Sequence, residues 1–313
     1  MSQLVKKIGL LVLVVIAVTF FTATLTAVLP GDPAVTVIPF GTDEQREQFR
    51  EDNGLDDPVP VRYVKWLGKF VTGDMGKYYQ SSSTQPVSDR VGQALPVSIQ
   101  LMVYAQLFAL FFAIPLGIFT AYRARSRLDR TVNTFAFGLI AVPNFVLGLL
   151  LAYYIGVELK WVPNTGYTEF GDGPVEHFRR MILPTISLGA GQVAIYMRLL
   201  RTDMIATLQE DFILMARAKG VSPSRILWRH ALRPSSLTLL TVAALNVGSL
   251  IGGAVVIEVL FSLPGIGTAI YGAIQGRQYI ALQSFVAIIA IGYVLINFFI
   301  DFLYTVLDPR IRK

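Results

Sequence analysis

The sequence predicts an all-α membrane protein with six transmembrane helices and a small external lobe between helices 1 and 2. Three observations lead there. Of 313 residues, 53% are hydrophobic and only 15% are charged, against about 25% in ordinary soluble domains. That is too little charge to cover a globule of this size, which excludes a disordered chain and argues against a soluble enzyme. The apolar residues are also gathered into runs that match the roughly 20 residues needed to cross a bilayer. Finally, the basic residues collect in alternate gaps between those runs.

The first run covers residues 8 to 29. Lys6 and Lys7 precede it, which raises the alternative of a cleaved signal peptide. The run of about 20 exceeds the 7–15 residues of an ordinary signal core, so a retained helix is expected. The second run covers 97–122 with Pro115 inside, and the third 132–157 with Pro143 inside. The fourth, 182–200, is weaker and carries Pro184 and several glycines. The fifth covers 237–261 and the sixth 281–307. Proline and glycine are tolerated where neighbouring helices satisfy the freed backbone groups. The expected organisation is therefore an N-terminus with helix 1 over 1–29, an external lobe over 30–96, and a core of helices 2–6 over 97–313.

Charge sets the orientation. Arg123, Arg125, Arg127 and Arg130 oppose only Asp129 between runs two and three. Arg217, Lys219, Arg225, Arg229 and Arg233 lie between runs four and five, and Arg310, Arg312 and Lys313 end the chain. With six spans, these places and Lys6–Lys7 fall on one side. The positive-inside rule makes that side the cytoplasm, with both termini there. The opposite short loops hold only Lys160, Arg179, Arg180 and Arg277. The net charge of +6 is then topology, not a nucleic-acid footprint.

The long external segment 30–96 carries ten acidic and seven basic residues. Within it Tyr63, Trp66, Leu67 and Phe70 recur at helical spacing, predicting an amphipathic helix over 61–70. Ser81 to Ser83 predict a flexible turn. Trp66 and Trp161 fit a membrane interface or the lobe.

The loop 204–234 predicts helix, sharp turn, helix. Ile205, Leu208, Phe212 and Met215 share a face. Gly220 stands at a helix C-cap, and Ser222-Pro223 predict an N-cap with proline at the first helical position. Arg225, Arg229 and Arg233 recur on one face, and Pro234 is expected to end the second helix. Such an element can dock a partner, or it can be a basic loop that only sets orientation. A DNA-reading helix-turn-helix is a third reading. It fits poorly with a segment tethered to membrane spans at both ends.

The segment Ala216-Arg217-Ala218-Lys219-Gly220, continuing to His230-Ala231-Leu232-Arg233, resembles the coupling loop of ABC-transporter permeases, in the version found in dipeptide and oligopeptide permeases. The glutamate of the general pattern is absent, and Pro234 comes one position late. Leu29-Pro30-Gly31-Asp32-Pro33 resembles the family's Pro-Gly-Asp-Pro signature. Gly54-Leu55-Asp56, Trp66-Leu67, Gly73-Asp74-Met75-Gly76 and Leu95-Pro96 are similar in order and spacing to the B-type subunit, although Tyr78 stands where a serine is usual. Gly252-Gly253, Glu258 and Pro264-Gly265-Ile266-Gly267 extend the resemblance over nearly the whole chain.

The resemblance implies a type I importer permease in a bacterial cytoplasmic (inner) membrane. It implies a second homologous permease subunit, cytoplasmic ABC ATPase subunits and an external solute-binding protein as partners, in a lipid bilayer and without nucleic acid. Phe212, Ala216, Arg217, Ala218, Lys219, Gly220, Val221 and Ser222 would then form the ATPase-docking surface. Dipeptides or short oligopeptides would be carried inward by alternating access. The family also handles other small solutes such as metal chelates.

The residues themselves exclude other chemistries. Nothing reads G-x-x-x-x-G-K-[ST]: Gly68-Lys69 and Gly76-Lys77 lack the upstream glycine and the following Ser/Thr. ATP and Mg would therefore be bound by a partner ATPase, and no cofactor is expected in this chain. There is no H-E-x-x-H, no cysteine, and only His177 and His230, so no catalytic or metal residues are expected. Asn246, Glu258 and Gln283 are the candidate transport-pathway residues, with hydrogen bonding across helices the alternative reading of Asn246 and Gln283. For Glu258, near the external end of span five, helix packing or an interfacial carboxylate is the competing and favoured reading. Asp301 reads as an interfacial anchor. An ion-driven secondary carrier is the alternative mechanism, but that class shows internal repeats and intramembrane charged sites, and here no repeat is clear and buried charges are few.

Overall fold

The computed structural model describes residues 2–28, 31–80 and 83–307, with side chains for 9–28, 31–79 and 84–300. Leu29, Pro30, Ser81, Ser82 and the basic tail lie outside the described residues, as do the side chains of Lys6, Lys7, Ser83 and Asp301.

The elements are α1 (Ser2–Val28), α2 (Pro33–Val37), α3 (Asp43–Asn53), α4 (Val59–Val71), β1 (Lys77–Gln80), β2 (Ser83–Pro86), α5 (Val87–Tyr122), α6 (Arg127–Ala141) and α7 (Asn144–Leu151). A π-turn over Ala152–Glu158 follows, then α8 (Pro174–Thr207), α9 (Asp211–Ala218) and α10 (Pro223–Arg225). A second π-turn over Ile226–Ala231 leads into α11 (Leu232–Leu260), α12 (Ile266–Gln275) and α13 (Tyr279–Leu307).

Four described helices are long and apolar enough to cross a membrane: Gly9–Val28, Val87–Tyr122, Pro223–Leu260 and Tyr279–Ile300. They match the first, second, fifth and sixth expected spans. The third is not one straight helix. It breaks between α6 and α7, which are bent by 101°. Pro143 disfavours helical backbone at the residue before it, and Val142 is accordingly extended, with φ −88° and ψ 122°. The fourth forms α8, a 34-residue helix that falls short of the apolar content of a crossing. Pro184, Gly189, Gly191 and Gln192 dilute it. The reason is positional: α8 is packed by α6, α7 and α11 and buries His177, Ser187 and Tyr196. A helix covered by protein needs little lipid-facing surface. Length and composition thus give four crossings, or five with the bent pair.

The chain forms two compact units, Met1–Ser98 with Pro264–Asp301, and Ile99–Leu263 with Phe302–Lys313. In the first, the amphipathic face expected over 61–70 is real. Tyr63 and Trp66 of α4 are buried with Ala23 of α1 and Ala287 of α13. Burying each of these rings contributes about 2–3 kcal/mol. Their polar tips find partners, as buried Tyr and Trp require. Tyr63 Oη lies 2.9 Å from Thr19 Oγ1, and Trp66 Nε1 donates to Ser284 Oγ at 3.0 Å. Ser284 then donates to the Met75 carbonyl at 2.7 Å.

The segment between α1 and α5 is not purely helical. β1 and β2 pair antiparallel, with Tyr78 opposite Gln85. Tyr79 is gripped from outside the ladder by the Gln278 side chain, whose Oε1 accepts its N–H at 2.8 Å and whose Nε2 donates to its C=O at 2.6 Å. Tyr78 is buried against Phe285, with ring centroids 5.6 Å apart, and burial raises its phenol pKa. This explains a large aromatic where the resemblance leads one to expect serine.

In the second unit, α5 turns a stripe of Leu101, Ala105, Ala109 and Ala113 inward. Small residues let helix backbones approach. A Cβ on Gly189 of α8 would stand 2.8 Å from the Ala105 carbonyl oxygen.

Candidate functional site: a docking turn and a polar row

The segment 204–234 folds as helix, turn, helix, with its details set by backbone chemistry. α8 runs on through Met204 to Thr207. After a turn, α9 begins with Asp211 in its first turn and ends with Arg217 in its last, charges that complement the helix dipole. Its end is a Schellman turn. The Val221 N–H donates to the Ala216 carbonyl at 3.1 Å and the Gly220 N–H to the Arg217 carbonyl at 2.9 Å. This closure needs a left-handed residue, and Gly220 supplies it with φ +74°. A Cβ at Gly220 would meet no atom within 4 Å, so the outer face of the turn is open.

Two expectations about this segment are corrected. The inward face of α9 is Ile213, fully buried, with Ala216 beside it. Phe212 and Met215 instead point out, 46% and 58% exposed. Pro234 does not end a helix either. The chain is helical from Pro223 to Leu260, because the π-turn just ahead of Pro234 relieves the clash that a proline ring makes with an ordinary preceding turn. Ser222 has extended backbone before Pro223, as expected, but makes no side-chain cap. Ala218, Arg217, Lys219 and Ser222 are exposed and Val221 half-buried. Residues 216–222 therefore surround one turn, and Phe212, Leu214 and Met215 form an exposed apolar ridge on α9 with Glu210 and Asp211 at its start and Arg217 and Lys219 at its end.

Asn246 lies in a row of polar groups joining α5, α8 and α11. Its Nδ2 donates to Gln192 Oε1 at 3.1 Å, and Ser249 Oγ donates to the Asn246 carbonyl at 2.8 Å. Tyr196 donates to Gln106 Oε1 at 3.1 Å, and Gln106 Nε2 to the Ala243 carbonyl at 3.3 Å. Gln106, Gln192 and Tyr196 were missed in the sequence, where lone polar residues in apolar runs gave the only signal. Glu258 is 1% exposed near the end of α11, and its carbonyl accepts the Leu263 N–H at 2.8 Å. Gln283 is buried on α13, with Nε2 unpartnered among the described residues. It belongs to the other compact unit. Among the described residues no three His, Asp or Glu gather as a metal site.

Residues 113–313 match the family described as binding-protein-dependent transport system inner membrane component, and residues 1–101 match its N-terminal region. The chain belongs to this family. It is a multi-pass membrane protein of the type I importer permease kind. As an inner membrane component it is 34% identical, over all of its length and 98% of the relative, to a probable peptide ABC transporter permease of Sinorhizobium fredii. It is 34% identical to the oligopeptide transport system permease protein AppB of Bacillus subtilis, over 99% of each chain. It is 31% identical to the dipeptide transport system permease protein DppB of Alkalihalophilus pseudofirmus, over its whole length and 99% of that protein.

Proposed function

We propose that the chain is the membrane-spanning subunit of an ATP-driven importer that moves dipeptides or short oligopeptides into the cell. The observation that carries this reading is end-to-end similarity to peptide permeases together with an exposed turn at Gly220 closed by two backbone hydrogen bonds. ATP and Mg belong to a separate ATPase, consistent with the missing P-loop. That ATPase docks on 204–234, where Phe212 and Met215 offer apolar contact and Arg217 and Lys219 offer charge.

The mechanism requires two states of the helix bundle that bind the ATP-loaded partner differently. From Pro223 to Leu260 the chain is continuously helical, so displacement of the docking turn carries directly into a crossing helix. A second homologous permease completes the pathway, with Asn246, Glu258 and Gln283 as candidate lining. Six crossings place both termini in the cytoplasm, with the broken pair as the third and α8 as the fourth. The segment between α1 and α5 then faces out, towards a solute-binding protein. Purification in mild detergent tests the assembly. Recovery of a P-loop ATPase and a second permease supports it, whereas a stable, solitary chain favours an ion-driven carrier.

A further inference from the structure

A cavity of about 560 Å³ opens among α3, α4 and β1, within the roughly 300–1,000 Å³ range of small-molecule sites. Its lining carries both signs of charge, including Asp74 from the turn before β1 and Lys77 from β1. Arg62, Lys65 and Lys69 line it from one face of α4, three and four residues apart. Glu51 and Asp52 line it from the last turn of α3, where the helix dipole also favours a cation. Trp66 and Tyr79 add rings.

The cations are not all satisfied. Lys65 is held by Asp57 at 2.7 Å. No carboxylate lies within ion-pair distance of Arg62 or Lys69 among the described residues. Arg62 Nη2 is buried with no hydrogen-bond partner, and desolvation lowers the Arg62 pKa. Burying an arginine nitrogen without an acceptor is costly, and a carboxylate is the group that a guanidinium fork matches best.

We propose that this cavity binds a small zwitterion by its ends, the free carboxylate at Arg62 and Lys69 and the ammonium at Glu51 and Asp52. Taking that zwitterion to be a short peptide rests on the permease reading above. The segment would then hold solute on the way to the pathway.

The test uses the full-length chain in nanodiscs with Trp161→Phe and Trp228→Phe, leaving Trp66 as the sole reporter. Alanyl-alanine and its C-terminal amide are titrated. The expected result is a saturable change in Trp66 emission, with the amide about ten- to a hundredfold weaker. Arg62→Ala should abolish the difference between acid and amide, and Arg62→Lys should restore part of it. An unchanged Trp66 emission maximum in the free variants shows that the fold persists. No saturable signal up to tens of millimolar, or equal binding of acid and amide, overturns the proposal. So does a wild-type cavity that ignores both peptides while Arg62→Ala weakens capture of a solute-binding protein. Peptide uptake by the assembled importer is measured in parallel. Uptake without a carboxylate-dependent signal sinks this site and leaves the permease reading. Discrimination at the cavity without any peptide uptake keeps the zwitterion site and removes the peptide-transport reading.

Discussion

Arg201 donates two hydrogen bonds to Asp129, Nε to Oδ1 and Nη2 to Oδ2, each at 2.7 Å. Asp129 is 4% exposed. Its remaining capacity is taken by the Arg125 N–H at 2.8 Å and Asn133 Nδ2 at 2.7 Å. The pair fastens the start of α6 to the part of α8 that leads towards α9 and the Gly220 turn. Arg201→Ala would strand a buried carboxylate, so we expect a loss of about 3 kcal/mol, seen as a lower thermal midpoint in detergent. Arg201→Lys keeps the charge without the two-pronged geometry and should recover only part.

Gly220 separates folding from docking. Its φ of +74° makes a side chain strained there, at about 1 kcal/mol, but no neighbouring atom obstructs one. Gly220→Trp should therefore insert and fold while ATPase co-purification falls sharply. Gly220→Asn, which tolerates the left-handed region, should retain the partner.

Tyr78 and Gly272 touch closely enough that a Cβ on Gly272 would strike the Tyr78 hydroxyl. Gly272→Ala should cost about 1–3 kcal/mol by overpacking. Removing the hydroxyl leaves the ring carbon behind it 3.7 Å from that Cβ, an ordinary contact. Tyr78→Phe combined with Gly272→Ala should thus be more stable than Gly272→Ala alone, a coupling read from a double-mutant cycle of unfolding midpoints.

The legible parts of the sequence were those with a local cause. Gly220, Ser222-Pro223 and the aromatic spacing of α4 each encode their own backbone or face. Pro143 was legible as a proline, but a long apolar run on both sides disguised the break it makes. Pro234 misled because a wider turn upstream accommodates its ring, which depends on six residues together. Asp129 counted only as a small subtraction from a basic loop, since nothing local announces a partner 72 residues away. The same holds for the Trp66 and Ser284 side chains, and for the Gln278 side chain on the Tyr79 backbone, which meet across about 200 residues.

Asp32 caps α2 through the Ala34 N–H at 2.9 Å and pairs with Arg50, which holds its carboxyl below the ordinary value of 3.8. A depressed carboxylate stabilises the fold above its unfolded value, and that contribution disappears as pH falls through the folded one. The pair is part-exposed and screened by solvent, so the effect is small, about twofold in local protection. Amide exchange at Ala34 should be slower in the wild type than in Asp32→Asn at neutral pH, and the two should converge as the pH falls below the ordinary carboxylate value and through the lower folded one.

On the proposed function, this chain passes peptides when an ATPase acts on the 204–234 segment. The most direct measurement is accumulation of labelled dipeptide across a bilayer holding the purified assembly, with ATP on the ATPase side and solute-binding protein on the other. The expected result is ATP-dependent accumulation that Gly220→Trp abolishes while the chain remains inserted. Accumulation driven by an ion gradient without ATP, or unaffected by Gly220→Trp, would contradict it.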